Sequence, residues 1–499
     1  MDAIERIKDD LRNGRIAPER LVDLLEALQR ALDVAKRRIA ELEKKLGGKA
    51  ATKVTEPFSL RAEERRQEAR GERRPEKLRT KRRGRVKTAE KVRQAARTEK
   101  VFPEGVPESD CHLSHTRPVW RLENGRAVLV AYEIYRGPKN QFGKIPGTLG
   151  RSEFGIEIVI AIAYQVYVVG LSFDKVCLLL NFFQNLRLRK SQADALLQRL
   201  SRHWTEEFER LCVLLAHSAV VHADETRWSI NSVWAFLSEK VRVLFFGVHK
   251  DAQTLEAILN PATFAGIVVS DDAAVYENFT HSQKCWAHLL RKAIKLTLLE
   301  PAHGAYRRFA DRLLEIYRTA CRTQRDGRLG DAGRTRKVAE LDDEILDLCG
   351  AIWLAELPKG EGAEDEYRLL CNELMRLMLN QQLFTFVTAA PVATAQGAAQ
   401  PVAGTNNEAE RILRGPALAR NTGRASKTPA GARRQTIVVS VLESLRNHLA
   451  SFTLTAVIDE ITRWHQTGRS CFADLAAKLG LSAAPAAAVL DRVLPHPSG

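Results

Sequence analysis

Acidic residues at the tips of apolar runs are the first chemistry visible in this chain. Ser218-Ala219-Val220-Val221 leads into His222-Ala223-Asp224-Glu225-Thr226-Arg227-Trp228. A β-branched run ending in an acid predicts a buried strand that presents Asp224 at its end. The pattern returns downstream as Gly266-Ile267-Val268-Val269-Ser270-Asp271-Asp272. Two such strands can place two carboxylates side by side. A third acid arrives at a predicted helix start, Thr405-Asn406-Asn407-Glu408-Ala409-Glu410-Arg411. Carboxylates converging from distant sequence are what hard divalent cations require. Two such ions can clamp the attacking and leaving oxygens of a phosphodiester.

Each acid also has a plainer reading. Asp224 can be an ordinary strand-terminal acid, and Asp272 competes with Asp271 for the second place. Asp271 is favoured because it directly ends the apolar run. Asn407 fits an N-cap, which puts Glu410 at the position where a capping box wants an acid, and Glu408 is the alternative ligand. Beyond Glu410 the chain carries Arg411, Arg414, Arg420, Arg424, Lys427, Arg433 and Arg434 with no acid among them. Uncompensated cations beside an acidic site predict contacts to a phosphate backbone. Cys285-Trp286-Ala287-His288 is half of a zinc site with no second half nearby. Trp286 is read as packing, and His288, Arg291 and Lys292 as phosphate contacts.

The elements that must position these residues follow from pattern. At 499 residues the chain exceeds one ordinary core. Leu21, Leu25, Leu28, Leu32, Ala35, Ile39, Leu42 and Leu46 alternate at four and three, which predicts a coiled coil over 1–48 and a homodimer or higher assembly. The net charge is +16, and Lys53–Lys100 alone holds 18 basic and 8 acidic residues, a local +10. Residues 49–100 read as an unstructured basic arm. Within it Lys81, Arg82, Arg83 and Arg85 sit at the densest point and predict contact with double-stranded DNA.

Residues 101–150 read as a β-hairpin region around Glu123-Asn124-Gly125-Arg126. Cys111, His112 and His115 nearby lack a second ligand pair, so structural zinc is not expected. Residues 151–217 read as helices resembling a helix-turn-helix. Ser191 is its predicted cap, and Gln192 and Gln198 face a groove. Residues 218–435 open with three antiparallel strands, a helix and a further strand, the order of a ribonuclease-H-like α/β core. A helical insertion follows at about 287–400, with a connector at 389–404, and residues 436–499 form a C-terminal helical segment.

Several classes drop out. The eight cysteines show no paired spacing, which argues against a disulfide framework. Ile156–Leu171 is too short and too polar for a membrane span. No Ser or Tyr nucleophile stands out.

Taken together, His-Ala-Asp-Glu-Thr at 222–226, Val-Ser-Asp at 269–271 with Tyr276, Cys-Trp-Ala-His-Leu-Leu-Arg-Lys at 285–292 and Asn-Asn-x-x-Glu-Arg at 406–411 resemble the DDE transposases of the insertion-sequence-66 family. The resemblance implies Asp224, Asp271 and Glu410 as a catalytic triad binding Mg²⁺ (or Mn²⁺). It implies a bacterial, cytoplasmic, nucleoid-associated enzyme that cuts element ends and joins 3′-hydroxyls to target DNA, with accessory proteins of the element as possible partners. The alternatives are a catalytically inactive regulator derived from such an enzyme, and a structure-selective nuclease of the same fold. Two departures from the family pattern stand out. The cysteine-rich finger before the helical segment is missing, and Ala419–Lys427 lacks the usual aromatic.

Overall fold

Hairpin chemistry sets the first sheet of the described chain. The computed structural model describes residues 86–354, 362–394, 397–481 and 488–494. The predicted coiled coil and Lys81, Arg82, Arg83 and Arg85 lie outside them. A short helix α1 (Thr88–Arg93) precedes strand β1 (Arg97–Val101), so the end of the basic arm is ordered, contrary to expectation from its composition. The reason is pairing: β1 lies parallel to β3 (Arg126–Arg136), which is also antiparallel to β2 (His112–Glu123). Asn124 and Gly125 turn the β2–β3 hairpin with φ of 47° and 76°, the left-handed pair that matches strand twist.

Four helices follow: α2 (Ile156–Ala163), α3 (Phe173–Gln184), α4 (Lys190–His203) and α5 (Thr205–Ala216). Buried Glu157 ties α2 to the hairpin, accepting Leu122 N–H at 3.1 Å and pairing with Arg121 at 3.0 Å. No described helix is long and apolar enough to cross a membrane.

The central sheet contains β4 (Val220–Arg227), β5 (Ser232–Ser238), β6 (Arg242–Val248), β7 (Ile267–Ser270) and β8 (Ser282–Lys284), in the order β6-β5-β4-β7-β8. The first three strands are antiparallel, while β7 and β8 run parallel to β4. Helix α6 (Ala252–Ile258) makes the crossover from β6 to β7. Strands β5 and β6 are almost wholly buried because both faces are covered. Trp234, Phe236, Val243 and Phe245 face the α2–α5 side. The alternating Val233, Ala235, Leu244 and Phe246 face a second cluster with Ala409 and Leu413.

An α-helical insertion follows β8: α7 (Trp286–Leu299), α8 (Gly304–Arg325), α9 (Asp331–Leu354), α10 (Gly362–Leu379) and α11 (Thr385–Thr388). It has its own core, anchored by Trp286, which stacks on Tyr317 at 5.2 Å and donates to Leu383 O at 2.7 Å. The connector expected at 389–404 is partly structured, with β9 (Val392–Ala393) pairing antiparallel to β10 (Ala399–Gln400).

Helices α12 (Asn407–Asn421), α13 (Pro429–His448), α14 (Leu454–Thr467), α15 (Cys471–Lys478) and α16 (Val489–Val493) complete the described chain. Helix α13 runs through the boundary expected at 435/436, and its packing ties it to the sheet. Strand β6 is an edge whose free backbone groups need partners. Thr436, Ser440 and Ser444, four apart on α13, supply them. Their hydroxyls accept Phe246 N–H, Leu244 N–H and Arg242 N–H at 2.9, 2.9 and 3.0 Å. Ser440 and Ser444 also donate back to Leu244 O and Arg242 O at 3.1 and 2.9 Å. Gly247, at φ +79°, lets α13 approach, since a Cβ there would lie 2.9 Å from the Ala432 Cβ.

Ser440→Ala strips two buried backbone groups of their partner. A loss of roughly 1–3 kcal/mol is expected by chemical denaturation. A change under about 0.5 kcal/mol, the scatter typical of neutral surface substitutions, would mean that β6 is not held by these hydroxyls.

Candidate functional site

Parallel pairing of β4 with β7 matches Val220 to Ile267 and His222 to Val269. Carried two residues further, that register sets Asp224 level with Asp271, the first residue past β7. Asp224 accepts its neighbour Glu225 N–H at 2.9 Å, and Asp271 accepts Ala273 N–H at 3.1 Å. The third acid comes from α12, whose first turn docks on β4. The N-cap is Asn406 rather than the expected Asn407, and Asn406 makes no side-chain cap bond. Glu410 therefore lies one position past the capping-box site.

The two rival acids each hold an arginine. Asp272 pairs with Arg376. Glu408 pairs with Arg242 at 2.7 Å. Asp224 lies in the field of Asp271 and Glu410. Burial is the largest cause lifting Asp224 to about 7, and the charges of Glu225, Asp271 and Glu410 add to it. Glu410 in turn meets Arg291 at 2.6 Å and His288 Nδ1 at 3.7 Å.

Surrounding side chains brace this cluster. Glu225, its side chain only 2% exposed, receives Lys250 Nζ at 2.5 Å and the Tyr276 hydroxyl at 2.7 Å. Buried Lys284 donates to Asp271 O at 3.2 Å and Ser270 Oγ at 3.4 Å, and burial lowers its pKa. Cys285, His288 and Glu410 offer ligand atoms within 4.8 Å of one another. The Cys285 sulfur is already engaged, accepting Asn406 N–H at 3.1 Å, and burial raises its pKa. Sequence pattern had passed over Lys250 and Lys284, and had quoted Glu225 and Asn406 only within motifs, without a role. Glu225 follows an acid already singled out, and Lys284 directly precedes the Cys-Trp-Ala-His run. Nothing local marks Lys250.

The predicted phosphate contacts divide. Arg411, Arg414 and Arg424 are exposed, with Arg424 reaching Gly170 O at 2.7 Å, and Lys427 is partly buried. Arg433 and Arg434 are instead structural: Arg433 pairs with Asp491 at 2.5 Å, and Arg434 with Asp194 at 2.7 Å and the Tyr167 hydroxyl at 2.7 Å. Lys292 pairs with Glu373 at 2.5 Å. In the helix-turn-helix-like unit Ser191 is not the cap. Gln192 accepts Arg189 N–H at 3.0 Å at the start of α4, and Gln198 donates to Asp194 at 3.1 Å.

The raised Asp224 pKa fixes a sign. Its unfolded value lies near the usual 3.8, so folding opposes ionisation between there and about 7. Stability from this group is highest below pH ~4, falls as pH rises toward 7 and is flat above. Asp224→Asn, unfolded thermally in chelator, should therefore gain stability at pH 8 and lose that gain by pH ~4. A variant less stable than wild type at pH 8 would remove the case for a repulsive cluster.

A family profile described as "Transposase IS66 family" matches residues 151–434, which takes in the helical layer, the sheet, the insertion and α12. No curated protein matches the chain. More than half of the sequence fits the profile, and the chain belongs to the transposase IS66 family.

Proposed function

We propose that this transposase cuts DNA at the ends of its element and joins the freed 3′-hydroxyls to target DNA through a DDE site made of Asp224, Asp271 and Glu410. The observation that carries the reading is their convergence from β4, the end of β7 and α12, with Asp224 held near pH 7 by burial and neighbouring carboxylates. The strand order supports a ribonuclease-H-like core, since the strand bearing Asp224 is central and pairs parallel with the strand before Asp271.

The donor set fits divalent cations. All three side chains offer hard oxygens, and their mutual repulsion is of the kind that a bound cation relieves. Mg²⁺ or Mn²⁺ at these carboxylates supplies Lewis acidity and charge neutralisation for phosphoryl transfer. Asp224 and Asp271 supply a rigid pair on adjacent strands, and Glu410 closes the set from the helix. Arg411 and Arg414 on α12 hold the DNA backbone beside it, with Arg424, Lys427, His288 and Arg291 around them. Arg291 also masks Glu410, so a phosphate that draws Arg291 away frees the carboxylate. The N-terminal arm adds sequence-independent duplex binding, α3 and α4 address the element ends, and the coiled coil brings two chains together.

Asp224→Asn should abolish Mg²⁺-dependent cleavage of element-end DNA and leave duplex binding nearly intact. Cleavage within a few-fold of wild type would remove Asp224 from the site. Replacing Leu25, Leu28 and Leu32 with polar residues should halve the mass read by light scattering at micromolar concentration. An unchanged mass would mean that the leucine seam packs within one chain.

A further inference from the structure

Asn406 is fully buried and lies where the acid-bearing elements meet. Its side-chain Nδ2 donates to Ala223 O at 2.7 Å, the carbonyl immediately before Asp224. Its backbone N–H donates to the Cys285 sulfur at 3.1 Å, at the start of α7, which carries His288 and Arg291. Its own carbonyl accepts Glu410 N–H at 3.1 Å. Two residues before it, Gly404 O accepts Trp286 N–H at 3.1 Å, and Cys285 N–H in turn donates to Ser270 O at 2.9 Å, the last residue before Asp271. A chain of buried hydrogen bonds thus runs from Asp224's strand through Asn406 to Glu410's helix, and through Cys285 to Asp271's strand.

The chemistry of the amide fixes its direction. Ala223 O can only accept, so the nitrogen of the amide must face it. The side chain stands at the N-cap of α12 but makes no cap bond. Its donor goes to the strand, and its oxygen accepts no cap bond from α12.

We infer that Asn406 is the positioning residue of the carboxylate site, setting the distance and angle between Glu410 and the two aspartates. This rests on the reading of the three acids as a divalent-cation site. Asn406 touches neither metal nor DNA in this role. It acts by holding Glu410 against Asp224, as outer-shell partners orient ligands in metal sites, where their loss costs about 10–100-fold in affinity.

The test is Mn²⁺ binding to the full-length protein, read from the free-ion electron paramagnetic resonance signal, with thermal midpoints taken alongside. Asn406→Ala should weaken Mn²⁺ binding about tenfold or more. Asn406→Asp keeps the shape but sets a carboxylate oxygen against Ala223 O. An effect of charge alone makes that variant bind Mn²⁺ more tightly, whereas loss of positioning makes it bind more weakly. Ile461→Ala, a buried α14 truncation distant in sequence, serves as a stability-matched control and should keep Mn²⁺ affinity within about twofold, since it touches no outer-shell partner of the site. Wild-type affinity in Asn406→Ala, tighter binding in Asn406→Asp, or an equal loss in Ile461→Ala would each overturn the inference. Asp224→Asn separates the two layers. If it leaves Mn²⁺ binding unchanged, the metal-site reading itself fails. If it abolishes binding while Asn406→Ala does not, only the role of Asn406 fails.

Discussion

Everything at the candidate site depends on the parallel pairing of β4 with β7. Parallel neighbours advance in the same direction, so two strands that both end in an acid deliver those acids to the same edge of the sheet. A one-residue slip in that register would turn one aspartate to the opposite face. The register is protected by burial: Val220, Val221, Val268 and Val269 are all at most 4% exposed. The β6–β7 crossover through α6 permits the parallel arrangement, which a tight hairpin cannot make.

Around that pair the rest of the fold is a device for closing surfaces. Strands β5 and β6 are apolar on both faces, so helices must cover both, and α12 reaches the sheet as part of that cover. Its Ala409 and Leu413 pack under Val233 and Ala235, and the same docking carries Glu410 toward Asp224. At the far edge, the hydroxyls of α13 do for β6 what another strand would do. A helix is rarely able to satisfy a strand edge, because its own backbone groups are used internally. Three hydroxylated residues at four-residue spacing overcome this by lining one face of the helix.

Electrostatically the site works against folding. Bringing Asp224, Asp271, Glu225 and Glu410 together in partly dry surroundings favours protonation of Asp224. Lys250 on Glu225 and Arg291 on Glu410 offset part of the repulsion from the rim. Such conflict between local stability and charge placement is expected at functional sites.

The sequence alone determined a good deal of this. Acid-tipped apolar runs announced both strands of the carboxylate pair, because a strand's period and burial are written in consecutive residues. Asn124-Gly125 announced the hairpin for the same local reason, and the motifs from 222 to 411 pointed to the family. Only the tertiary structure decided the rest. It gave Asp272 and Glu408 the partners Arg376 and Arg242, both far away in sequence. It ordered residues 97–101 through pairing with β3, which a polar composition cannot reveal. It turned Arg433 and Arg434 inward to Asp491 and Asp194, although along the chain they look like the exposed arginines before them. Asn406 shows the limit most clearly. Its place in the Asn-Asn-x-x-Glu-Arg run does not tell that its side chain reaches Ala223 O and its backbone N–H the Cys285 sulfur, because hydrogen bonds between distant elements exist only after packing has brought their ends together.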